Sequence, residues 1–393
     1  MTPEIQGYCS PRFARVRRAF AALFERGAEA GAGVGIYLGD ELVTELWAGD
    51  ADPRAGRAWQ RDTPCLAFSC AKAVTAACAL QLCSRANIDV NDPVAQLWPE
   101  FAVAGKERTT IAHLLSHQAG LPAFSDRVTV PQSADAAALA ARLAAQAPEW
   151  EPGTAHGYHA LTFGWLAGEI VRRLSGLTVG EYLAQNLAAQ GGLELWLGGP
   201  AEVIGRAARL TRTGPGRTGP GRTGQGGRAG ARLAGAAGAS AELGSARVFF
   251  NPDATSVPGG SNNPAVLQAG WPASGLLATA RGLAGFYRAL LSGQILAPAE
   301  LRAATTVRAS GRDRVLAVDS AFGLGFMLAS PVLWVPPSAR QSAFGHTGLS
   351  GALGIADPAR GLAFGYVTRL MGDKPTTSAR AARLLSAAYS SIS

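Results

Sequence analysis

The sequence predicts an α+β fold: strands from both ends of the chain form one antiparallel sheet flanked by helices, and a mostly helical domain is inserted between them. Strand patterns occur in residues 33–47 and return convincingly only after residue 240. The chain between these two regions has helical apolar spacing and loops. The 393 residues are 48% hydrophobic and 16% charged, which provides for a large core and excludes a disordered protein.

The N-terminal elements follow from the spacing of apolar residues. Residues 10–30 carry apolar side chains at helical intervals, which predicts an amphipathic helix. Two strands are expected at 33–38 and 41–47. They are joined by Gly39 and Asp40, and a two-residue loop of this composition favours a tight hairpin.

The later elements are predicted in the same way. A helix should begin near Ser69 and continue to about Ser84. Further helical segments are expected at 110–116, 134–146 and 161–174. Strands are then expected at 322–327, at about 351–356 and at 362–367, followed by a terminal helix at 377–389.

This order of elements suggests two domains. We expect residues 1–85 and 260–393 to form an α/β domain, a sheet with flanking helices. Residues 86–259 should form the mostly helical domain, with a flexible insertion at about 210–240. A cleft at the junction of the two is the expected place for a binding site.

The basic charge comes from one segment. Between residues 203 and 241 there are seven arginines and no acid, so removing them from the net charge of +8 leaves +1. Residues 212–226 repeat the pattern Arg-Thr-Gly-Pro/Gln-Gly, whose glycine and proline content predicts a flexible loop. No aromatic residue is interleaved to stack on a base, so a nucleic-acid partner is not predicted.

The composition favours a cytoplasmic protein without a metal or cofactor. No stretch approaches the ~18 consecutive apolar residues of a membrane span, and the run at 19–24 is too short for a signal peptide. The five cysteines form neither an even set nor a CxxC pair, which indicates reduced thiols. His113 and His117 are four residues apart, but no third ligand follows at a zinc-protease spacing.

Lysine usage points to a candidate nucleophile. Of 36 basic residues only Lys72, Lys106 and Lys374 are lysines, and lysine can lose a proton where arginine cannot. Lys72 follows Ser69 by three residues, so both side chains lie on one helix face. Ser-x-x-Lys at a helix start is a known nucleophile arrangement, because a buried amine can accept the serine proton.

Two other segments can complete such a site. Tyr158 lies between a Pro-Gly turn and the start of a helix, where its hydroxyl can reach a cleft. Packing in the core is nevertheless the commoner fate of such a tyrosine. The glycines of residues 344–351 let a ligand approach the strand backbone, as stabilisation of an oxyanion by N–H groups requires.

These three blocks, in this order, resemble the serine β-lactamase and penicillin-binding-protein superfamily, and within it the family VIII carboxylesterases. The resembling motifs are Ser69-Cys70-Ala71-Lys72 for Ser-x-x-Lys, Tyr158 for the tyrosine of Tyr-x-Asn, and His346-Thr347-Gly348 for Lys-Thr-Gly. The resemblance covers residues 30–185 and 260–370 and implies a β-lactamase/transpeptidase-like fold.

Two departures from the family pattern bear on the substrate. Ala160 stands where β-lactamases and peptidases have the asparagine that holds a substrate amide. His346 replaces the lysine that binds the substrate carboxylate, which removes a fixed positive charge. An alkoxide leaves more readily than an amine, so the resemblance with these changes implies a carboxylesterase rather than a β-lactamase.

The resemblance also implies roles for individual residues. Ser69 would attack a short- to medium-chain ester of a small molecule while Lys72 and Tyr158 accept its proton. The oxyanion would lie between the N–H groups of Ser69 and Leu349. The residues of the third block would contact the substrate: His346, Thr347 and Gly348.

Alternatives stay open at this point. A β-lactamase, a D-amino-acid peptidase or an acyltransferase can use the same scaffold. A non-catalytic binding protein with the arginine repeat as its contact surface is a further alternative, although retention of Ser69, Lys72 and Tyr158 argues against it. The sequence does not indicate the preferred acyl chain, the alcohol or the oligomeric state.

Overall fold

The computed structural model describes residues 2–212, 246–371 and 376–392. Beyond Arg212, the predicted insertion up to residue 240 lies outside the described residues. The strands are β1 Gln6–Cys9, β2 Gly31–Leu38, β3 Glu41–Asp52, β4 Arg57–Ala58, β5 Cys65–Leu66, β6 Leu195–Leu197, β7 Leu276–Ala278, β8 Ala309–Arg312, β9 Asp319–Phe322, β10 Met327–Leu328, β11 Phe344–Thr347, β12 Leu353–Asp357 and β13 Leu362–Thr368.

The described helices include the six predicted segments, which they match to within a few residues at most ends, and further helices between them. They are α1 Ala14–Glu25, α2 Ala71–Arg85, α3 Ile111–Leu115, α4 Ala136–Ala145, α5 Thr162–Ser175, α6 Val179–Tyr182, α7 Ala189–Gly191, α8 Ala201–Arg206, α9 Pro264–Ala269, α10 Ala280–Leu291, α11 Pro298–Ala304 and α12 Ala379–Tyr389. A π-helical turn, Leu183–Ala188, connects α6 to α7.

Strands from both ends of the chain form one antiparallel sheet, as predicted. Within the described ranges its order is β1-β3-β2-β13-β12-β11-β10-β9-β8, and β4 pairs with β3. The pairing of β2 with β13, with Gly35 opposite Gly365, joins the N-terminal to the C-terminal part. The predicted hairpin is present, since β2 and β3 connect through Gly39 at a φ of 59°.

Helices cover both faces of this sheet. On one face α10 packs against β2, β12 and β13. On the other, α1 and α12 contact each other and bury side chains such as Phe20 and Leu384 in a core shared with the strands. Full burial of such a side chain contributes about 1.5–3 kcal/mol, so the two helical layers hold the sheet in place.

The expectation of no strands between the first hairpin and residue 240 is wrong. β5 and β6 both pair with β7 in a separate three-stranded sheet, with Leu197 opposite Leu276 and Leu66 opposite Leu277. β5 and β6 contain only two and three residues, which is too short for a period to show. Their extended conformation depends on pairing with a distant segment.

The single strand predicted at 322–327 is also wrong. β9 ends at Phe322 and β10 begins at Met327, with a turn closed by a hydrogen bond from the Gly323 N–H to the Phe326 carbonyl. Gly325 in this turn has a φ of 81°, and a Cβ on it would lie 2.1 Å from the Ala76 Cβ of α2. The close approach of α2 therefore requires the glycine and interrupts the strand.

The cysteines and the lengths of the helices bear on two expectations from the sequence. All five cysteines are free thiols, and four of them are buried. Among the helices of the described ranges, none has the length and apolar character that crossing a bilayer requires.

A buried ion pair connects α12 to the sheet. The Glu29 carboxylate lies 3.0 Å from an Arg380 nitrogen and also accepts hydrogen bonds from the Tyr366 and Thr368 hydroxyls. Arg380 donates further to the carbonyl of Ser350, in the loop after β11. The pair thus braces the loop that carries Leu349.

Removal of Arg380 should destabilise the fold. Arg380→Met leaves the buried Glu29 carboxylate without its cation, which costs about 3–5 kcal/mol of unfolding free energy. Urea denaturation would measure it, with Arg302→Met, an exposed arginine of α11, as the control expected to lose less than about 0.5 kcal/mol. Equal losses in the two variants would contradict a stabilising role for the pair.

Candidate active site

Ser69 lies in a tight turn that precedes α2. The turn is a 3-10 segment, Phe68–Cys70, and Phe68 adopts a φ of 47°, which is uncommon for an aromatic residue. Ser69 is half-buried and lines a cavity, whereas Phe68 and Cys70 on either side are buried. The turn thus presents one hydroxyl to the cavity.

Lys72 reaches Ser69 as the helical spacing predicts. Its Nζ lies 3.3 Å from Ser69 Oγ. It also donates hydrogen bonds to the carbonyls of Ala160 at 2.7 Å and Ala273 at 3.0 Å. Lys72 is fully buried, and no carboxylate in the described part of the chain forms an ion pair with it.

Burial determines the protonation state of this amine. Removal from water lowers the pKa of Lys72 well below its ordinary value, and only the charge of Cys70, if ionised, would oppose this shift. A neutral amine has two N–H bonds and one lone pair. The two carbonyls can accept from both N–H bonds, which leaves the lone pair available to accept from the Ser69 hydroxyl at 3.3 Å.

Tyr158 completes the group. Its ring centroid is 4.8 Å from Lys72 Nζ, and its hydroxyl shares a hydrogen bond with Ser69. Burial raises the pKa of the Tyr158 phenol above its ordinary value, and the bond to Ser69 opposes that rise. Burial therefore favours the protonated form of the phenol and the neutral form of the neighbouring amine.

Four of the five histidines are buried around Tyr158. His117 and His346 contact its ring at centroid distances of 4.9 and 6.2 Å, while His156 and His159 flank it in sequence. Of these four, only His346 was predicted from the sequence to belong to the site. His117 was considered only with His113, as a possible metal ligand.

His346 lies behind the cavity wall. Its Nδ1 shares a 2.8 Å hydrogen bond with the Thr347 carbonyl, and its Nε2 has no partner among the described residues. Burial and the nearby Lys72 lower the pKa of His346 to about 3, so the ring is neutral. Of the third block, Thr347, Gly348 and Leu349 line the cavity, and substrate contact by His346 stays a prediction.

The loop after β11 lies against the Ser69 turn. A Cβ on Gly348 would lie 2.2 Å from the Ala67 carbonyl oxygen, so only glycine permits this approach. The Cys70 thiol donates to the His346 carbonyl at 3.3 Å and ties α2 to β11. These contacts hold Leu349 beside the turn, as an oxyanion site formed by its N–H and that of Ser69 would need.

The cavity next to Ser69 has a volume of about 260 Å³. Its described walls are largely apolar: Phe68, Leu161, Leu210, Phe249, Phe250, Trp271, Leu349 and Met371. The charged residues among its described lining are Arg212, which is exposed, and Asp253. Within that lining no buried cation is available to bind a carboxylate.

Comparison with known proteins identifies the family. A sequence profile described as Beta-lactamase matches residues 16–389. The chain belongs to the β-lactamase family. Among curated members, the esterase/beta-lactamase LipL of Mycobacterium tuberculosis is 33% identical over 376 residues, covering 93% of this chain and 82% of LipL.

Solved structures of similar proteins agree with this. A family VIII carboxylesterase superimposes with a TM-score of 0.86 at 33% identity, covering 99% of this chain and all of the other. A penicillin-binding-protein homologue from Caulobacter crescentus gives 0.85 at 36% identity over the same shares. The predicted β-lactamase/transpeptidase-like fold is confirmed, and the family with its esterase relatives supports a hydrolase.

The buried histidines should make the protein sensitive to acid. Burial lowers the pKa of His159 to about 4, and that of His346 to about 3, whereas the unfolded chain binds these protons near pH 6.5. As the pH falls, the unfolded state therefore binds these protons before the folded state does. The unfolding free energy should then fall by about 1.4 kcal/mol per pH unit for each such histidine below pH 6.5.

Urea denaturation at pH 7 and pH 5 would measure this loss. His346→Gln removes one titrating ring and should reduce the difference between the two pH values. An unfolding free energy that is equal at both, or higher at pH 5, would contradict neutral burial of these rings.

Proposed function

We propose that this protein is a serine carboxylesterase that hydrolyses short- to medium-chain esters through an acyl-enzyme on Ser69. The observation that carries the proposal is the 3.3 Å contact of the Ser69 hydroxyl with a buried lysine that has no acidic partner among the described residues. Such an amine can act as a base at neutral pH, which a serine nucleophile requires.

The acylation step uses three side chains. Ser69 Oγ attacks the ester carbonyl carbon, and its proton passes to Lys72 Nζ, directly or through the Tyr158 hydroxyl. The negative charge that develops on the carbonyl oxygen lies between the N–H groups of Ser69 and Leu349. The bond to the alcohol oxygen then breaks, and Tyr158 donates its proton to the leaving alkoxide while Lys72 returns one to Tyr158.

Deacylation reverses these proton transfers. Water attacks the acyl carbon and gives one proton to Lys72, directly or through the Tyr158 hydroxyl. The bond to Ser69 Oγ breaks, and Ser69 recovers its proton as the acid leaves. Beyond the ester and this water, neither half of the reaction needs a further reactant to balance.

The cavity supports an ester rather than a β-lactam or peptide substrate. Its described lining is largely apolar and has no buried cation, and His346 in place of the family's lysine is neutral. Ala160 offers Lys72 a backbone carbonyl but has no side-chain amide for a substrate. A neutral ester with an apolar acyl chain fits these walls best.

Acyl transfer to an alcohol is the second candidate. Monacolin J acid methylbutanoyltransferase of Aspergillus terreus is 32% identical over 158 residues, covering 34% of this chain and 38% of that enzyme. Addition of an alcohol to the esterase assay distinguishes the two, because a transferase would form a new ester. Cytoplasmic location, a small-molecule ester as substrate, no nucleic-acid or membrane partner and independence of cofactors stay predictions from the sequence.

Substitution of the catalytic lysine has a matched control in the chain. We expect Lys72→Met to lower ester hydrolysis roughly a thousandfold or more, since it removes the base. Lys106 is also fully buried and also donates to two carbonyls, those of Val103 and Gln146, but has no serine beside it. Lys106→Met should keep the folded enzyme's activity within roughly threefold.

Turnover of p-nitrophenyl acetate and butyrate, against nitrocefin and a D-Ala-D-Ala peptide, would measure the preference. Faster turnover of nitrocefin or the peptide would replace the esterase proposal with one of the alternatives. Mass spectrometry after treatment with a fluorophosphonate should find the label on Ser69 and none in Ser69→Ala. Undiminished labelling of that variant would remove the proposed nucleophile.

A further inference from the structure

The hairpin of β8 and β9 reaches the segment that carries Tyr158. Its turn, residues 313–318, lies against residues 156–158, and the Arg314 N–H donates to the His156 carbonyl at 3.1 Å. The hairpin is the last pair at one edge of the sheet. None of the sequence motifs described above includes this hairpin.

Asp313 is the centre of this contact. It is almost fully buried, and its Oδ1 accepts hydrogen bonds from the N–H groups of Tyr158 at 3.1 Å, Val315 at 2.8 Å and Leu316 at 2.8 Å. Its Oδ2 accepts from the Ser320 hydroxyl at 3.0 Å. A buried carboxylate without an ion-pair partner in the described ranges is stable only when hydrogen bonds replace its hydration, and here four do so.

The network extends to the other side of the tyrosine segment. The Ser320 hydroxyl also shares a 2.9 Å hydrogen bond with His156 Nε2, two residues before Tyr158. The carboxylate is thus connected to the segment at two points, the Tyr158 amide and the His156 ring. These two contacts limit how far the backbone of residues 156–158 can rotate.

His117 holds the neighbouring amides. Its carbonyl accepts from the Gly157 N–H and its Nδ1 from the His159 N–H, both at 3.1 Å. His117 adopts a φ of 64°, a strained conformation for a residue other than glycine. Three consecutive amides, of Gly157, Tyr158 and His159, therefore have fixed partners outside their own segment.

We infer that Asp313 is a positioning residue that holds the Tyr158 hydroxyl where it can give a proton to the leaving alkoxide. The inference rests on the proposed function. A general acid must lie within hydrogen-bond reach of the departing oxygen, and a displacement of about 1 Å can cost a hundredfold in rate. Asp313 acts through the backbone of Tyr158 and does not itself contact the substrate.

The charge of Asp313 also favours the protonated form of Tyr158. Burial raises the pKa of Tyr158. The negative charge of Asp313 raises it further, and so would that of Cys70 if its thiol were ionised. Burial also raises the pKa of Cys70 to about 12, so its thiol does not carry this charge near neutrality. A phenol that keeps its proton is suited to protonate an alkoxide.

This role predicts a dependence on the leaving group. p-Nitrophenolate leaves without protonation, whereas the ethoxide of an ethyl ester needs a proton. A displaced Tyr158 should therefore impair ethyl butyrate more than p-nitrophenyl butyrate. A purely structural role, which lowers the amount of folded enzyme, would reduce both rates by the same factor.

The test compares kcat/KM for these two butyrates in Asp313→Ala, Asp313→Asn and the control Asp319→Ala, an exposed acid of the same hairpin. We expect Asp313→Ala to lose roughly tenfold on the p-nitrophenyl ester and roughly hundredfold on the ethyl ester. Asp313→Asn keeps an acceptor for the three amides and should show a smaller excess loss, while Asp319→Ala should match the unsubstituted protein.

Equal losses on the two esters in Asp313→Ala would overturn the inference. If that variant does not fold, Asp313→Asn decides, because an unchanged ratio of the two rates in that variant contradicts the role. Ser69→Ala in the same assay separates this outcome from failure of the proposed function. Hydrolysis that survives in Ser69→Ala contradicts the proposed function itself. If Ser69→Ala abolishes hydrolysis and Asp313→Ala loses the same factor on both esters, only the positioning role is contradicted.

Discussion

The proposed chemistry depends on the burial of one lysine without a carboxylate partner. An ammonium group transferred into this interior loses its hydration, and the carbonyls of Ala160 and Ala273 compensate only in part. The neutral amine is therefore favoured beside Ser69. If a buried acid paired with Lys72, the charged form would be stabilised and the serine would have no base.

The fold delivers the components of the site from distant parts of the chain. The Ser69 turn leads into α2, Tyr158 precedes α5, and β11 brings Leu349 from the other end of the sequence. Pairing of β2 with β13 places the two terminal regions in one sheet. The Glu29–Arg380 ion pair and the hydrogen bonds of Asp313 then fix the loop after β11 and the tyrosine segment.

Local sequence patterns predicted the parts of the structure that local interactions determine. Helical spacing predicted that Lys72 would reach Ser69, and the Gly39–Asp40 loop predicted the first hairpin. β6 was not predicted, because its extended conformation depends on pairing with β7, about eighty residues later. Gly325 interrupts a predicted strand because α2 packs against it, which is a tertiary effect.

The site was predicted less completely than the fold. Asp313 and His117 act through hydrogen bonds to backbone amides, for which no residue pattern exists. The scarcity of lysine was only part of the signal, because Lys106 is equally rare and equally buried and merely donates to two carbonyls. The adjacent serine one helical turn away is what distinguishes Lys72.

The protonation state of Lys72 can be measured directly, because the chain contains only three lysines. NMR of the protein labelled with ¹³C at lysine Cε should give three signals, and Lys72→Met identifies the one that belongs to Lys72. We predict that this signal shows a neutral amine at pH 8, where an exposed lysine is still charged. A Lys72 signal that titrates near pH 10.4, as in a free lysine side chain, would contradict the account.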